Sequence, residues 1–263
     1  MKKITTIIQK EWAEVFKNRM VLFTVVFLPL LMTAIPLGIL FAMHGEAGMA
    51  EVSGEMPEQL TVFCSPNLNA GECLQVYLVS QFMFMFMILP LAIPATIASY
   101  SIVGEKTTHS LEPLLATPIT TAELLLGKGL AAILPAILAT DLAFALYAVG
   151  AAILVANRSV LLALLDARWL IAVLIVGPLL ALVAVNFSIM VSSRVNDPRV
   201  AEQVSMLVIL PLIGLFFGQL TGLFVLNRQL ILVAGIVLFF LDILLIYASV
   251  QLFQRETILT RWK

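Results

Sequence analysis

Hydrophobic and polar positions fall in long blocks along this chain. Six near-continuous apolar runs, at residues 20–43, 74–103, 130–156, 169–191, 204–226 and 230–253, are separated by shorter polar segments. A helix rises about 1.5 Å per residue, so about 20 apolar residues cross the roughly 30 Å of hydrocarbon in a bilayer. Each run meets that length, and the pattern predicts an all-α integral membrane protein with six transmembrane helices in a single domain over residues 1–263. The first run exceeds the about 7–15 apolar residues of a cleavable signal and is expected to remain as an anchor.

Ahead of the first run, residues 2–19 repeat with helical period. Ile4, Ile7, Ile8, Trp12, Val15 and Phe16 gather on one face, and Lys3, Lys10 and Lys17 on the other. Such a pattern predicts an amphipathic helix over residues 1–19 lying in the membrane plane, its apolar face in the acyl boundary and its cations near lipid phosphates. A straight extension of the first span is the alternative.

The runs themselves are irregular. Pro29, Pro36, Pro90, Pro94, Pro135, Pro178 and Pro211 fall inside them, and each frees a backbone carbonyl that a neighbouring helix or a wet cavity must satisfy. Gly214, Gly218 and Gly222 are spaced by four and predict a small-residue face for close helix packing; a break near Gln219 and Thr221 is the rival reading. The string FMFMFM, residues 82–87, reads as helix facing lipid or as a flexible apolar surface.

Composition agrees with a membrane protein: 61% of residues are hydrophobic and 12% charged, against about 45–50% and about 25% in soluble domains. The formal net charge of −1 averages over two compartments and identifies no partner. The distribution of basic residues says more. Lys2, Lys3, Lys10, Lys17, Arg19, Lys106, Lys128, Arg194, Arg199, Arg255, Arg261 and Lys263 fall on one side of the predicted topology, and Arg158, Arg168 and Arg228 on the other. The basic side stays in the cytoplasm, which places both termini there in the cell membrane, with lipid rather than nucleic acid as the surroundings.

The first external loop, residues 44–73, holds both cysteines, Cys64 and Cys73, with several glutamates and neither Lys nor Arg. An oxidising compartment permits a disulfide between them across the turn-forming string SPNLNAGE. Free thiols and a metal site are the alternatives, although His44 is the only nearby histidine, and no metal is expected.

The most polar stretch between two spans is GEKTTHSLEPLLATPITTAELLLGKG, residues 104–129. At 100° per residue, Glu105, Thr108, His109 and Glu112 share one helical side, and Leu111, Leu114 and Leu115 the other. Pro113 and the Thr117-Pro118 pair interrupt it. Thr120 to Glu123 then reads as a capping box that starts the third spanning helix. An ordinary connection between bundle helices takes about 2–8 residues; this one is far longer and predicts an amphipathic surface held at the cytoplasmic face. No catalytic set accompanies it: H-E-x-x-H and G-x-S-x-G are absent, and Gly127-Lys128 lacks the first glycine and the Ser or Thr of a phosphate loop. The chain is therefore read as having no catalytic residues of its own.

This stretch closely resembles the cytoplasmic signature of ABC-2 type permeases, through Glu105, Leu111, Glu112, Leu114, Leu115, Thr117, Pro118, Ile119, Gly127 and Lys128. QKEWAEVFKNRM, residues 9–20, is similar to that family's amino-terminal in-plane helix. SSRVNDPRVAEQVSMLVILPL, residues 192–212, resembles the loop between spans 4 and 5 in its sodium-exporter-like branch. Thr108 and His109 stand where many members have glycine. The resemblance implies a permease that works as one of two copies, a homodimer or a pair with a related permease. It also implies two copies of a separate ATPase subunit, which would bind the ATP and magnesium, this chain carrying no cofactor. Residues 104–129 become a coupling loop with a short coupling helix, in which Glu105, His109, Leu111, Glu112, Leu114 and Leu115 meet the ATPase.

Asp141 and Asp242 lie near the middles of spans 3 and 6. An acid at that depth costs at least about 2.5–3.5 kcal/mol and must face protein or water. Each reads either as part of a translocation pathway or as an interhelical hydrogen-bonding group. Three functions follow: an ABC permease, an exporter driven by ATP hydrolysis in trans; a proton-coupled secondary transporter using Asp141 and Asp242; and a non-transporting membrane assembly or sensor protein.

Overall fold

A computed structural model describes residues 2–43, 68–107, 120–224 and 226–252. All regular structure among them is helical, and six helical segments are long and apolar enough to cross a membrane. The amino-terminal helix α1 (Lys2–Val15) leads into span 1, α2 (Arg19–Ala42). Span 2 is two helices, α3 (Ala70–Phe86) and α4 (Leu89–Thr107). The step between them falls just before Pro90, whose missing N–H removes the bond that would have carried α3 onward. Span 3 is α5 (Thr121–Leu154), started by the capping box expected there: Glu123 N–H donates to Thr120 Oγ1 at 3.2 Å and Thr120 N–H to Glu123 Oε2 at 2.9 Å.

Span 4 consists of α6 (Arg158–Leu164), α7 (Ala167–Ile171), a π-helical turn (Ala172–Val176) and α8 (Gly177–Arg194). The wide turn sits immediately ahead of Pro178 and absorbs its missing donor. Span 5 is α9 (Pro198–Ser205), a 3-10 turn (Met206–Ile209) and α10 (Leu210–Leu220); span 6 is α11 (Arg228–Leu252), without an internal proline.

Span 2 is the axis of the bundle. In its most apolar window 72% of residues are buried, against 11% for span 5, and it packs against spans 1, 3, 4 and 5. Helix α4 packs most extensively on α8, where fully buried small hydroxyl residues, among them Ser99 and Ser188, allow close approach. Thr96 Oγ1–H donates to Glu202 Oε1 at 2.9 Å and Ser99 to Ser205 at 3.1 Å, tying α9 to α4. At the opposite end Asn157 Nδ2 donates to Glu72 Oε1 at 2.6 Å, joining the start of α3 to the connection after α5.

Two expectations change. The FMFMFM string is helical but not lipid-facing: Met83, Phe84, Phe86 and Met87 are all in the core, because span 2 is the central span. Gly214, Gly218 and Gly222 do not make one packing face. Gly222 lies beyond the end of α10 in a turn at φ 75°, where its lack of a side chain is required. Gly218 is covered by the Phe224 ring of its own chain. Helix α1 packs on α5 and α4 through the buried Ile7 and Val15, while Ile4, Ile8, Trp12 and Phe16 of the same face stay partly exposed.

Candidate functional site

The 104–129 segment is described at its two stems, Gly104–Thr107 at the end of α4 and Thr120–Gly129 at the start of α5. Both stems meet α1. Lys3 Nζ lies 3.8 Å from Glu123 Oε2, Ile7 lies against Gly127, Glu11 pairs with Lys128, and Trp12 reaches Ala131. The contacts advance in the same direction along both helices, so α1 lies alongside the first turns of α5 rather than crossing them at one point.

Gly127 is what permits the approach. A Cβ there would lie 2.8 Å from Ile7 Cγ2 and 3.0 Å from Ile7 Cβ. The latter atom sits on the backbone and cannot swing aside.

Beside Gly127 a charge cluster is buried between three helices. Lys128 Nζ donates to Glu11 Oε1 at 2.7 Å and to Ser101 Oγ at 2.9 Å, and pairs with Glu105 Oε2 at 2.8 Å. The first two are hydrogen bonds and the third is an ion pair. Ser101 Oγ–H in turn donates to Glu11 Oε2, and Lys10 Nζ donates to Glu105 Oε1 at 2.5 Å. Two carboxylates and two ammonium groups balance. The side chains of Glu11, Glu105 and Lys128 are 5% exposed or less, while Lys10, at 37%, is the rim of the cluster. Partial burial pulls the Lys10 ammonium down, but the hydrogen bond and charge of Glu105 outweigh it and hold the group above its ordinary value.

Within this chain the Glu105 carboxylate is turned inward and engaged by Lys128 and Lys10. His109, Leu111, Glu112, Leu114 and Leu115 lie outside the described residues.

A scan against family models matches the description "ABC-2 family transporter protein" over residues 5–247. The chain belongs to the ABC-2 transporter family. It is thus a membrane permease component of an ABC transporter, a class that generally pairs with an ABC ATPase subunit and carries no ATPase of its own. No match was found among curated proteins. In this ABC-2 permease, three positions of the signature that identify it by sequence, Glu105, Gly127 and Lys128, are the ones that receive α1.

The remaining candidates lie apart from that cluster. Asp242 is 3% exposed, on the face of α11 that buries Ile231, Gly235 and Ser249, and neither carboxylate oxygen has a hydrogen-bond partner among the described residues. One turn-pair further along, Ser249 Oγ–H donates to Asn186 Oδ1 at 3.0 Å and ties α11 to α8. Asp141 is only partly buried, beside the exposed Leu138 and Leu142 of α5. The structure pairs it with neither Asp242 nor Tyr147. Cys73 is buried and is not a free thiol; Cys64 lies outside the described residues. No group of three or more His, Cys, Asp or Glu residues among the described residues is arranged to hold a metal ion.

Glu11 escaped the sequence reading, and its signal was present. At 100° per residue it falls in the middle of the stripe formed by Ile4, Ile7, Ile8 and Val15. A carboxylate centred on an apolar face calls for a buried cation, not for lipid.

Proposed function

We propose that this chain is the permease subunit of an ABC exporter, working as one of two permease copies with two copies of a separate ATPase that binds ATP and magnesium. Both termini and the 104–129 segment face the cytoplasm. Residues 108–119, with His109, Leu111, Glu112, Leu114 and Leu115, form the coupling element that contacts the ATPase, while Glu105 anchors its first stem. One observation carries the reading: the two stems of this segment are bound to each other by the buried Lys128–Glu105 pair at 2.8 Å. A push on the segment would therefore reach spans 2 and 3 together instead of dissipating in a loose connection. The basic residues gathered on one side of the topology support the orientation, and span 5, the least buried in the single chain, is the surface best suited to a second copy.

The experiment is cysteine crosslinking in the complex purified with its co-expressed ATPase. Cysteines at His109 or Glu112 should crosslink to the ATPase, with yields that differ between nucleotide-free and ATP-bound states. Leu114→Glu should detach the ATPase or uncouple it, since an unpaired charge buried at a contact costs several kcal/mol, and Glu58→Ala should do neither. Absence of crosslinks together with an intact Leu114→Glu complex would remove the coupling assignment.

A second reading has one observation in its favour, the buried and unpartnered Asp242: a carboxylate at that depth can carry a proton. Transport driven by a proton gradient in vesicles lacking any ATPase would establish it in place of the first.

A further inference from the structure

Helix α1 grips α5 at two neighbouring points. At one, Glu11 Oε1 accepts from Lys128 Nζ at 2.7 Å. At the other, Trp12 Nε1–H donates to the Ala131 carbonyl at 2.9 Å. The second contact follows from the proline four residues on. Pro135 has no N–H, so the carbonyl of Ala131 loses the donor it would have had in its own helix. Ala131 is 1% exposed, and a buried carbonyl without a partner is costly. The Trp12 indole, which can only donate, fills that place from another helix. Gly127 brings it within reach by letting Ile7 lie directly on the α5 backbone.

We propose that α1 is a strut that braces span 3 at Pro135, where the helix lacks one of its own hydrogen bonds. Glu11 anchors the strut on Lys128, Trp12 occupies the carbonyl that Pro135 releases, and α1 leaves only when the hinge is set free. Docking of α1 and the conformation of span 3 about Pro135 are then one event. Undocking would strip Lys128 of one counter-ion and the Ala131 carbonyl of its donor, so both must find new partners, and a change in span 3 is the way to provide them. Trp12 and Glu11 are positioning residues in this device. It is a property of the permease chain alone and does not depend on the ATPase coupling proposed above, so each idea can fail without the other.

The test is backbone hydrogen exchange across α1 in the full-length chain in lipid nanodiscs, comparing wild type, Trp12→Phe, Pro135→Ala and the double variant. Trp12→Phe keeps an aromatic ring and removes the donor, and should speed exchange in α1 by about two- to tenfold, the ratio that one net hydrogen bond carries. In the Pro135→Ala background residue 135 regains an N–H, the Ala131 carbonyl returns to its own helix, and the same change should add less than about twofold. Equal acceleration in both backgrounds would make the indole a packing group and overturn the proposal, as would no acceleration in the wild-type background. Should Pro135→Ala fail to insert, spin labels on Leu126→Cys and Leu146→Cys, exposed positions on either side of the hinge, give a second reading. Trp12→Phe should shift or broaden their distance distribution, whereas Gln9→Ala on the exposed side of α1 should not. An unchanged distribution in Trp12→Phe overturns the proposal equally.

Discussion

Lys128 and Glu11 are 117 positions apart in sequence, yet their Nζ and Oε1 atoms lie 2.7 Å apart, with side chains 4% and 3% exposed. A buried pair of this kind gives little net stability over an apolar substitute, because desolvation offsets most of the attraction. Removing one member is another matter, since the other is left charged and out of water.

Lys128→Met should therefore destabilise the chain by about 3–5 kcal/mol, because Glu11 and Glu105 would then face each other without the cation between them. Lys3 provides the contrast: it lies 3.8 Å from Glu123 and its side chain is 50% exposed, so Lys3→Ala should cost no more than about 1 kcal/mol. Thermal unfolding in detergent, read by circular dichroism, separates the two. Similar small losses for both would mean that the cluster is solvated and does not hold α1.

Close approach at Gly127 predicts a rescue. Gly127→Ala puts a methyl group against the Ile7 Cβ, and Ile7 is β-branched and stiff, so the cost should be about 1–3 kcal/mol through displacement of α1. Ile7→Ala in the same chain should restore part of it, since it removes the nearest atom, Cγ2 at 2.8 Å, but keeps the Cβ at 3.0 Å. Gly214, with nothing within 4 Å of a built Cβ, should accept Ala with no loss, or with a gain of about 0.5–1 kcal/mol from the better helix former. Should Gly127→Ala behave like Gly214→Ala in the same unfolding assay, the contact with Ile7 is not a constraint.

The six spans were legible in the sequence because bilayer crossing imposes a length and a composition that the apolar runs satisfy one by one. The helix start at Thr120 was legible for a local reason too, since a capping box is complete within four residues. What could not be read was which surface each helix turns to another. The alternation in FMFMFM carries no mark that distinguishes lipid from protein, because hydrocarbon and a bundle core select the same side chains. The glycines at 214, 218 and 222 share a spacing, but the chain had already left the helix by Gly222, and spacing alone does not show where a helix ends. On the helical wheel Glu105 shares a polar side with Thr108, His109 and Glu112, which carries no sign of burial. Its inward turn depends on Lys10 and Lys128, which the fold brings in from 95 residues earlier and from the far stem. Glu11 was the readable exception. Its position inside an apolar stripe announced a buried partner without naming Lys128.

Asp242 presents the opposite case to Lys128, a buried charge-bearing group to which nothing in the described chain donates. Both oxygens are inaccessible and without hydrogen-bond partners, and the face they lie on is otherwise made of Ile231, Gly235 and Ser249. Burying a polar group uncompensated costs about 1–3 kcal/mol on the scale of protein substitutions. Asp242→Leu, which keeps the branch at Cγ and is free of that cost though larger, should raise the unfolding midpoint by an amount corresponding to no more than about 1–3 kcal/mol. Asp141→Leu should change stability less, because Asp141 is partly exposed in the single chain. Denaturation of the two variants beside wild type in the same detergent is the measurement. Loss of stability in Asp242→Leu would show that the carboxylate is held by a group in the folded protein. A gain would mean that the chain carries a destabilising acid in span 6, the behaviour of a group that does not serve the fold.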